Sequence, residues 1–314
     1  MLTFFKSLFK GGSNRTSDKE RQTFELFKYD GMRAQRIGRR DYAIKCFNKA
    51  LEIEQDFETM SYLSQLYLEM GEPAEAKHWL EIMQTQEPGL ASPLLALAHI
   101  EFLQGNIESM TMLAQRAVEL DPRNDQAYFL WGKALGYDKN YAEAVEKLSE
   151  AITLKPDFEE AHLLRARFLL DSGISEEALD HINEVLKRNP ENESALLLYA
   201  HDAKLNGREA EAEATYQALV ELNPFNVQAY HEWGQLLATQ HRYQEAMDRL
   251  SDALELLPQS VELYELRGKL RQIMGDHDGA EQDKQEAERI TEEIFPDVPQ
   301  SSIPHAGNTF LGIS

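Results

Sequence analysis

Residues 125–156, DQAYFLWGKALGYDKNYAEAVEKLSEAITLKP, decide the fold. Two apolar stripes of helical period flank a short polar break, Tyr137-Asp138-Lys139-Asn140. Tyr128, Trp131, Gly132 and Leu135 fall at i, i+3, i+4 and i+7, which places them on one face of a helix. Ala144, Leu148 and Ala151 share a face of a second helix. Pro156 stops it, because proline lacks an N–H and cannot continue the ladder. Working outward, Pro88, Pro122, Pro156, Pro190, Pro224 and Pro258 stand 34 residues apart. A fixed period of this length marks a repeat array, so the 314 residues are read as one array rather than two globular domains.

With Asp125 as position 1, eight copies begin at Phe24, Phe57, Ala91, Asp125, Glu159, Glu193, Val227 and Val261. Position 8 reads Gly31, Ser64, Ala98, Gly132, Ala166, Ala200, Gly234 and Gly268. Position 20 reads Ala43, Ala76, Met110, Ala144, Ala178, Ala212, Ala246 and Ala280. Small residues in both columns predict two helices crossing closely, where a large side chain would hold the backbones apart. A single hairpin cannot bury its apolar face alone, so each copy needs neighbours and the architecture must stack.

These columns resemble the tetratricopeptide repeat. The resemblance rests on apolar residues at position 4, small residues at 8 and 20, large apolar residues at 24 and proline at 32. It covers residues 24–292. Gln55 and Glu292 depart from the proline column, Met110 from position 20, His162 from position 4 and Lys284 from position 24. The resemblance implies an all-α solenoid, a right-handed superhelix of about eight helix pairs. It also implies that the first helices line a concave groove, with a non-catalytic scaffold binding a peptide or partner helix there.

The ends differ in composition. Residues 1–23 open with MLTFFKSLFK and run on through a polar linker including Gly11 to Lys19. Leu2, Phe5, Leu8 and Phe9 could share a face with Lys6 and Lys10 at its edge, which supports an alternative function: a membrane-associated assembly factor anchored by residues 1–10. The plainer reading has this segment cover the open apolar end of the array, or stay a loose terminus. Residues 293–314 are expected to form an irregular tail, whose Thr309-Phe310-Leu311-Gly312-Ile313 is apolar enough to dock in the chain's own groove. The last helical stretch, GAEQDKQEAERITEEI, is largely polar apart from Ala280, Ala287, Ile290 and Ile294, as a solvated cap should be.

A net charge of −22, from 32 basic against 54 acidic residues, argues against a general nucleic-acid binder, whose phosphate backbone the field would repel. No apolar run is long enough to cross a membrane. The single cysteine, Cys46, fits a reducing, cytoplasmic setting and reads as a quiet, partly buried thiol.

The columns facing the expected groove carry the functional information. Position 9 of copies three to six reads His99, Lys133, Arg167 and His201, and position 5, on the same helix face, reads Leu95, Phe129, Leu163 and Leu197. An apolar row beside a row of basic nitrogens, in a chain otherwise acidic, suits a protein or peptide with acidic and apolar side chains. The plainer alternative is that Leu163 and Leu197 pack between hairpins. A carboxylate clamp known in the family finds Lys28 suitable, but Met32, Tyr62, Ser92 and Ala96 do not fit it. Trp131, Trp233, Tyr128, Tyr230 and Tyr264 read as packing residues. No phosphate-binding glycine loop is present, and Gln235 stands where His231-Glu232 would need a second histidine to hold zinc. Asp276-His277-Asp278-Gly279 lacks the length of a calcium loop and reads as a turn. No catalytic residue, metal or cofactor is therefore expected.

Overall fold

The computed structural model describes residues 17–294, so the expectations for residues 1–10 and for the tail beyond Ile294 lie outside the described residues, while Glu293 and Ile294, expected in the tail, end the last helix. Within them there are sixteen helices and no strand. The chain divides between Asn140 and Tyr141 into two compact units, a break that falls at the end of the polar turn of the reference copy. The first unit holds α1 (Asp18–Arg36), α2 (Arg40–Ile53), α3 (Phe57–Glu69), α4 (Pro73–Gln86), α5 (Ser92–Leu103), α6 (Ile107–Leu120) and α7 (Asp125–Tyr137). The second holds α8 (Tyr141–Leu154), α9 (Glu159–Asp171), α10 (Ser175–Arg188), α11 (Glu193–Leu205), α12 (Glu209–Leu222), α13 (Val227–Thr239), α14 (Tyr243–Leu256), α15 (Val261–Met274) and α16 (His277–Ile294). The fold is all-α and of the helix-hairpin repeat type, as the 34-residue period requires.

Local chemistry sets the ends of the helices. Asp56, Asn124, Asn192 and Asn226 precede first helices, and each side chain accepts from the backbone N–H three residues on, at 2.8 to 3.0 Å. Each such cap contributes about 1 kcal/mol. At the start, Ser17 and Glu20 form a reciprocal capping box, so α1 begins at Asp18, inside the stretch expected to be linker. Between the helices of a pair, position 15 adopts the left-handed backbone. Glycine fills it at Gly38, Gly71, Gly105, Gly173, Gly207 and Gly275, while Lys139 and His241 occupy it with φ near +60°. The helix ends before Pro156 at Leu154.

At position 8, Gly31 and Gly234 leave little room for a side chain, although what they meet within the hairpin is position 24 rather than position 20. A Cβ on Gly31 would lie 2.5 Å from the ring of buried Phe47, and one on Gly234 would press on Leu250 and Leu266. In the first unit, Phe47, Met60, Leu63, Leu66, Leu80, Leu97 and Ile100 form one continuous core. In the second, Tyr216, Leu219, Trp233, Leu236, Leu250, Leu263 and Leu270 do the same. Met110, the departure at position 20, is fully buried beside Ala98 and Leu130, its unbranched chain filling the space. The final helix buries Ala287 and Ile290 as expected, but also Asp283, while Ile294 is exposed. Asp283 accepts from Arg267 Nε and Nη2 at 3.0 and 2.7 Å and lies 3.0 Å from Arg271 Nη1, so a buried ion triad closes the last hairpin. Asp276 caps α16 through the Gly279 N–H at 3.0 Å, so only the first part of the expected polar turn lies outside the helix.

Candidate functional site

In the first unit, α5 carries Leu95 and His99, and α7 carries Phe129 and Lys133. Leu95 and Phe129 are half-buried against the cluster of Ala98, Met110, Ala114, Leu130 and Ala134. Lys133 is only 8% exposed. Its Nζ lies 3.9 Å from the centroid of the Phe102 ring, and no carboxylate among the described residues stands within ion-pair range. Tyr137 packs edge-on against Phe102 at 5.1 Å between centroids. Burial lowers the Lys133 ammonium's pKa, and burial together with the Lys133 charge lowers that of His99. A desolvated cation held by a ring quadrupole alone is costly unless an anion completes it.

In the second unit, Leu163 and Leu197 are each 3% exposed and belong to the core. The apolar row expected at copies five and six is therefore packing material: position 5 of these copies points between hairpins rather than at a ligand. Arg167 is half-buried and paired within its own helix, its Nε donating to both Asp171 oxygens at 3.1 and 3.2 Å. His201 is half-buried, its pKa lowered by burial and by Lys204. Lys204 itself pairs with Glu232 at 2.6 Å. The structure thus brings the four first-unit candidates to adjoining first helices. In the second unit two are buried, and Arg167 has an internal counter-charge.

Two groups escaped sequence reading. Phe102 and Tyr137, at positions 12 and 13, complete the surroundings of Lys133; their aromatic character one helical turn beyond position 9 was the available signal. The other is a relay built on the departure at position 4. His162 Nε2 lies 3.1 Å from the Pro156 carbonyl, which can only accept, so Nε2 carries the hydrogen and Nδ1 is bare. His181 Nδ1, 2.8 Å away, must then donate to it. That leaves His181 Nε2 bare to accept from Arg165 Nη1. Arg165 also donates to Glu177 and, at 3.0 Å, to Ser149 Oγ. Each ring thus spends one nitrogen as donor and the other as acceptor. Burial, and then the Arg165 charge, pushes the His181 pKa down to about 4.

Lys28, the one residue suited to the family clamp, is buried and neutralised by Asp56 and Glu58 at 2.9 and 2.5 Å. Cys46 is a free, buried thiol. Among the described residues no cluster of His, Cys, Asp and Glu could hold a metal, and no helix is long and apolar enough to cross a membrane.

Comparison with known proteins agrees with this architecture. Two family models, each described as tetratricopeptide repeat, match residues 137–201 and 197–261. No curated protein matches the chain in sequence. Among solved structures, a tetratricopeptide repeat protein from Parabacteroides merdae superposes with TM-score 0.63 at 19% identity, covering 76% of this chain and 96% of its own. PilF of Pseudomonas aeruginosa superposes with TM-score 0.59 at 19% identity, over 69% of this chain and 98% of that one. The APC/C hetero-tetramer of Cut9 and Hcn1 gives TM-score 0.57 at 15% identity, over 96% of this chain and 57% of the other. Residues 137–261 are thus tetratricopeptide repeats by sequence, and the sixteen helices of the described residues share the fold of such repeat proteins.

Proposed function

We propose that this chain is a non-catalytic, cytoplasmic scaffold that binds an acidic and apolar peptide segment, or a partner helix, on the faces of its first helices. The observation that carries the reading is Lys133, a buried ammonium whose charge meets only the Phe102 ring among the described residues. His99, Leu95 and Phe129 stand with it in the first unit; Arg167 and His201 supply polar contacts in the second, over the buried Leu163 and Leu197. A carboxylate of the ligand would pair with Lys133, while its apolar neighbours cover Phe102 and Phe129. Desolvated charge pairs of this kind fix register and exclude wrong partners more than they add affinity.

A peptide array probed with the wild type and with Lys133→Glu and Arg167→Glu tests this. The expected result is loss of acidic hits with Lys133→Glu and a smaller loss with Arg167→Glu, whose charge Asp171 already balances. Unchanged binding of every hit by both variants would remove these residues from the reading. The alternative, an assembly factor held at a membrane by residues 1–10, rests on that segment's composition alone. Equal liposome flotation of the full chain and a chain lacking residues 1–10 would end it.

A further inference from the structure

The second unit contains a cleft that none of the candidate residues above lines. Its volume is about 280 Å³, with α12 and α14 as walls and α13 as floor. Val220, Tyr230, Trp233 and Leu237 make it apolar and aromatic below, while Glu213, Gln217, Glu221, Glu245, Arg249 and Asp252 stand around it.

The charges do not balance. Arg242 holds Glu213 and Glu245 together, donating to both carboxylates at 2.6 to 3.0 Å. Among the described residues Glu221 accepts only from neutral Gln217, at 2.9 Å. Asp252 faces Arg249 at 3.8 Å, a loose pair. Four carboxylates against two guanidiniums leave a deficit of two positive charges. The floor has a second need. Trp233 is 5% exposed, and its Nε1 donor has no acceptor among the described residues. The Arg249 guanidinium lies over this ring at 5.2 Å, so the cleft already accommodates a cation of that shape on its aromatic floor. Tyr230 belongs to the same environment, its pKa raised by burial and by Asp252.

We infer that this cleft is a docking site for a basic segment of a partner protein, one bearing an arginine or lysine beside an apolar residue. The side-chain cation enters between Glu221 and Asp252, displacing Arg249 from the indole. A backbone carbonyl of the same segment then accepts from Trp233 Nε1, and the apolar neighbour covers Val220 and Leu237. A metal ion or a free polyamine brings the charge but neither the acceptor nor the apolar contact. The site is independent of Lys133 and takes ligands of the opposite sign, so each can fail without the other.

Isothermal titration of the full chain tests the inference, with an acetylated and amidated heptapeptide of alanine, leucine and two arginines as probe. Its counterpart with glutamate for each arginine, and spermidine, are the controls. Glu221→Lys/Asp252→Lys changes two exposed side chains, and an unaltered melting temperature shows that the hairpins persist. Binding of the arginine peptide should weaken roughly tenfold or more in the double variant and fall with added salt. Trp233→Phe, which keeps an aromatic ring of smaller area and removes the donor, should weaken it several-fold. No binding of the arginine peptide to the wild type would overturn the inference. So would equal binding by the double variant, equal binding of the glutamate peptide, or spermidine binding as tightly as the peptide.

Discussion

Lys133 in the first unit and Arg165 in the second are both 8% exposed, and the sequence places each on the first helix of its copy. Their surroundings are opposite. Arg165 has Ser149, His181 and Glu177 around its guanidinium, so every part of the charge is answered from within the chain. Lys133 has the Phe102 ring. Burial of a cation is therefore not itself a sign of function; the location of its counter-charge is. Where that charge is internal, the residue holds hairpins together. Where it is missing, the protein carries a cost that a ligand can remove.

The largest expected effect tests the structural half of this contrast. Arg165→Met strips half-buried His181 and Ser149 of their partner, while water answers the half-exposed Glu177, and should destabilise the second unit by about 2 kcal/mol. Urea unfolding followed by circular dichroism reads it; a change below about 1 kcal/mol would break the comparison.

Next comes acid. The His181 pKa is about 4 in the fold against 6.5 for an ordinary histidine, so the folded state prefers the neutral ring. Its contribution is complete above pH 6.5 and is lost as pH falls towards 4. The added proton would sit on Nε2, against the Arg165 donor, with Glu177 and Asp180 only partly offsetting the charge. A loss on the order of 2 kcal/mol is expected over this window, and His181→Phe should flatten that slope. Melting temperatures at pH 7, 5.5 and 4.5 check it.

The functional half predicts a change of sign. Lys133→Met removes an unanswered buried charge while keeping the length of the chain, so stability should rise by about 1 kcal/mol as affinity for acidic peptides falls. A lower melting temperature with unchanged binding would assign Lys133 to packing and erase the distinction from Arg165.

The smallest effect concerns the turns. Lys139→Gly and His241→Gly relieve a left-handed backbone at the cost of chain entropy, and should each add about 0.5 kcal/mol. Melting temperatures of the two single variants measure this. No gain at either would mean that their side chains stabilise the turn by other contacts, such as that of His241 Nδ1 with the Tyr243 hydroxyl at 2.7 Å.

Much of the fold was legible in the chain because it depends on local rules. Prolines every 34 residues end helices by their own geometry, and small residues at positions 8 and 20 permit close crossing wherever they occur. The left-handed column was equally open to reading, since six of its eight members are glycine. The candidate site was legible only in part. His99 and Lys133 could be placed on a face by period, but Leu163 and Leu197 occupy the same register as Leu95 and Phe129 and sit deeper. Equal helical phase does not specify how closely the neighbouring hairpin packs.

What the sequence determined by itself is the repeating hairpin: its length, its stops, its turns and its narrow crossings, all set within a few residues of each position. Tertiary structure alone decided which charges found partners. Asp283 met two arginines, His162 met His181 across 19 positions, and Lys133 met a ring. The physical reason is that desolvation and pairing depend on distances between side chains of different helices, and a helical period fixes direction around one axis without fixing those distances.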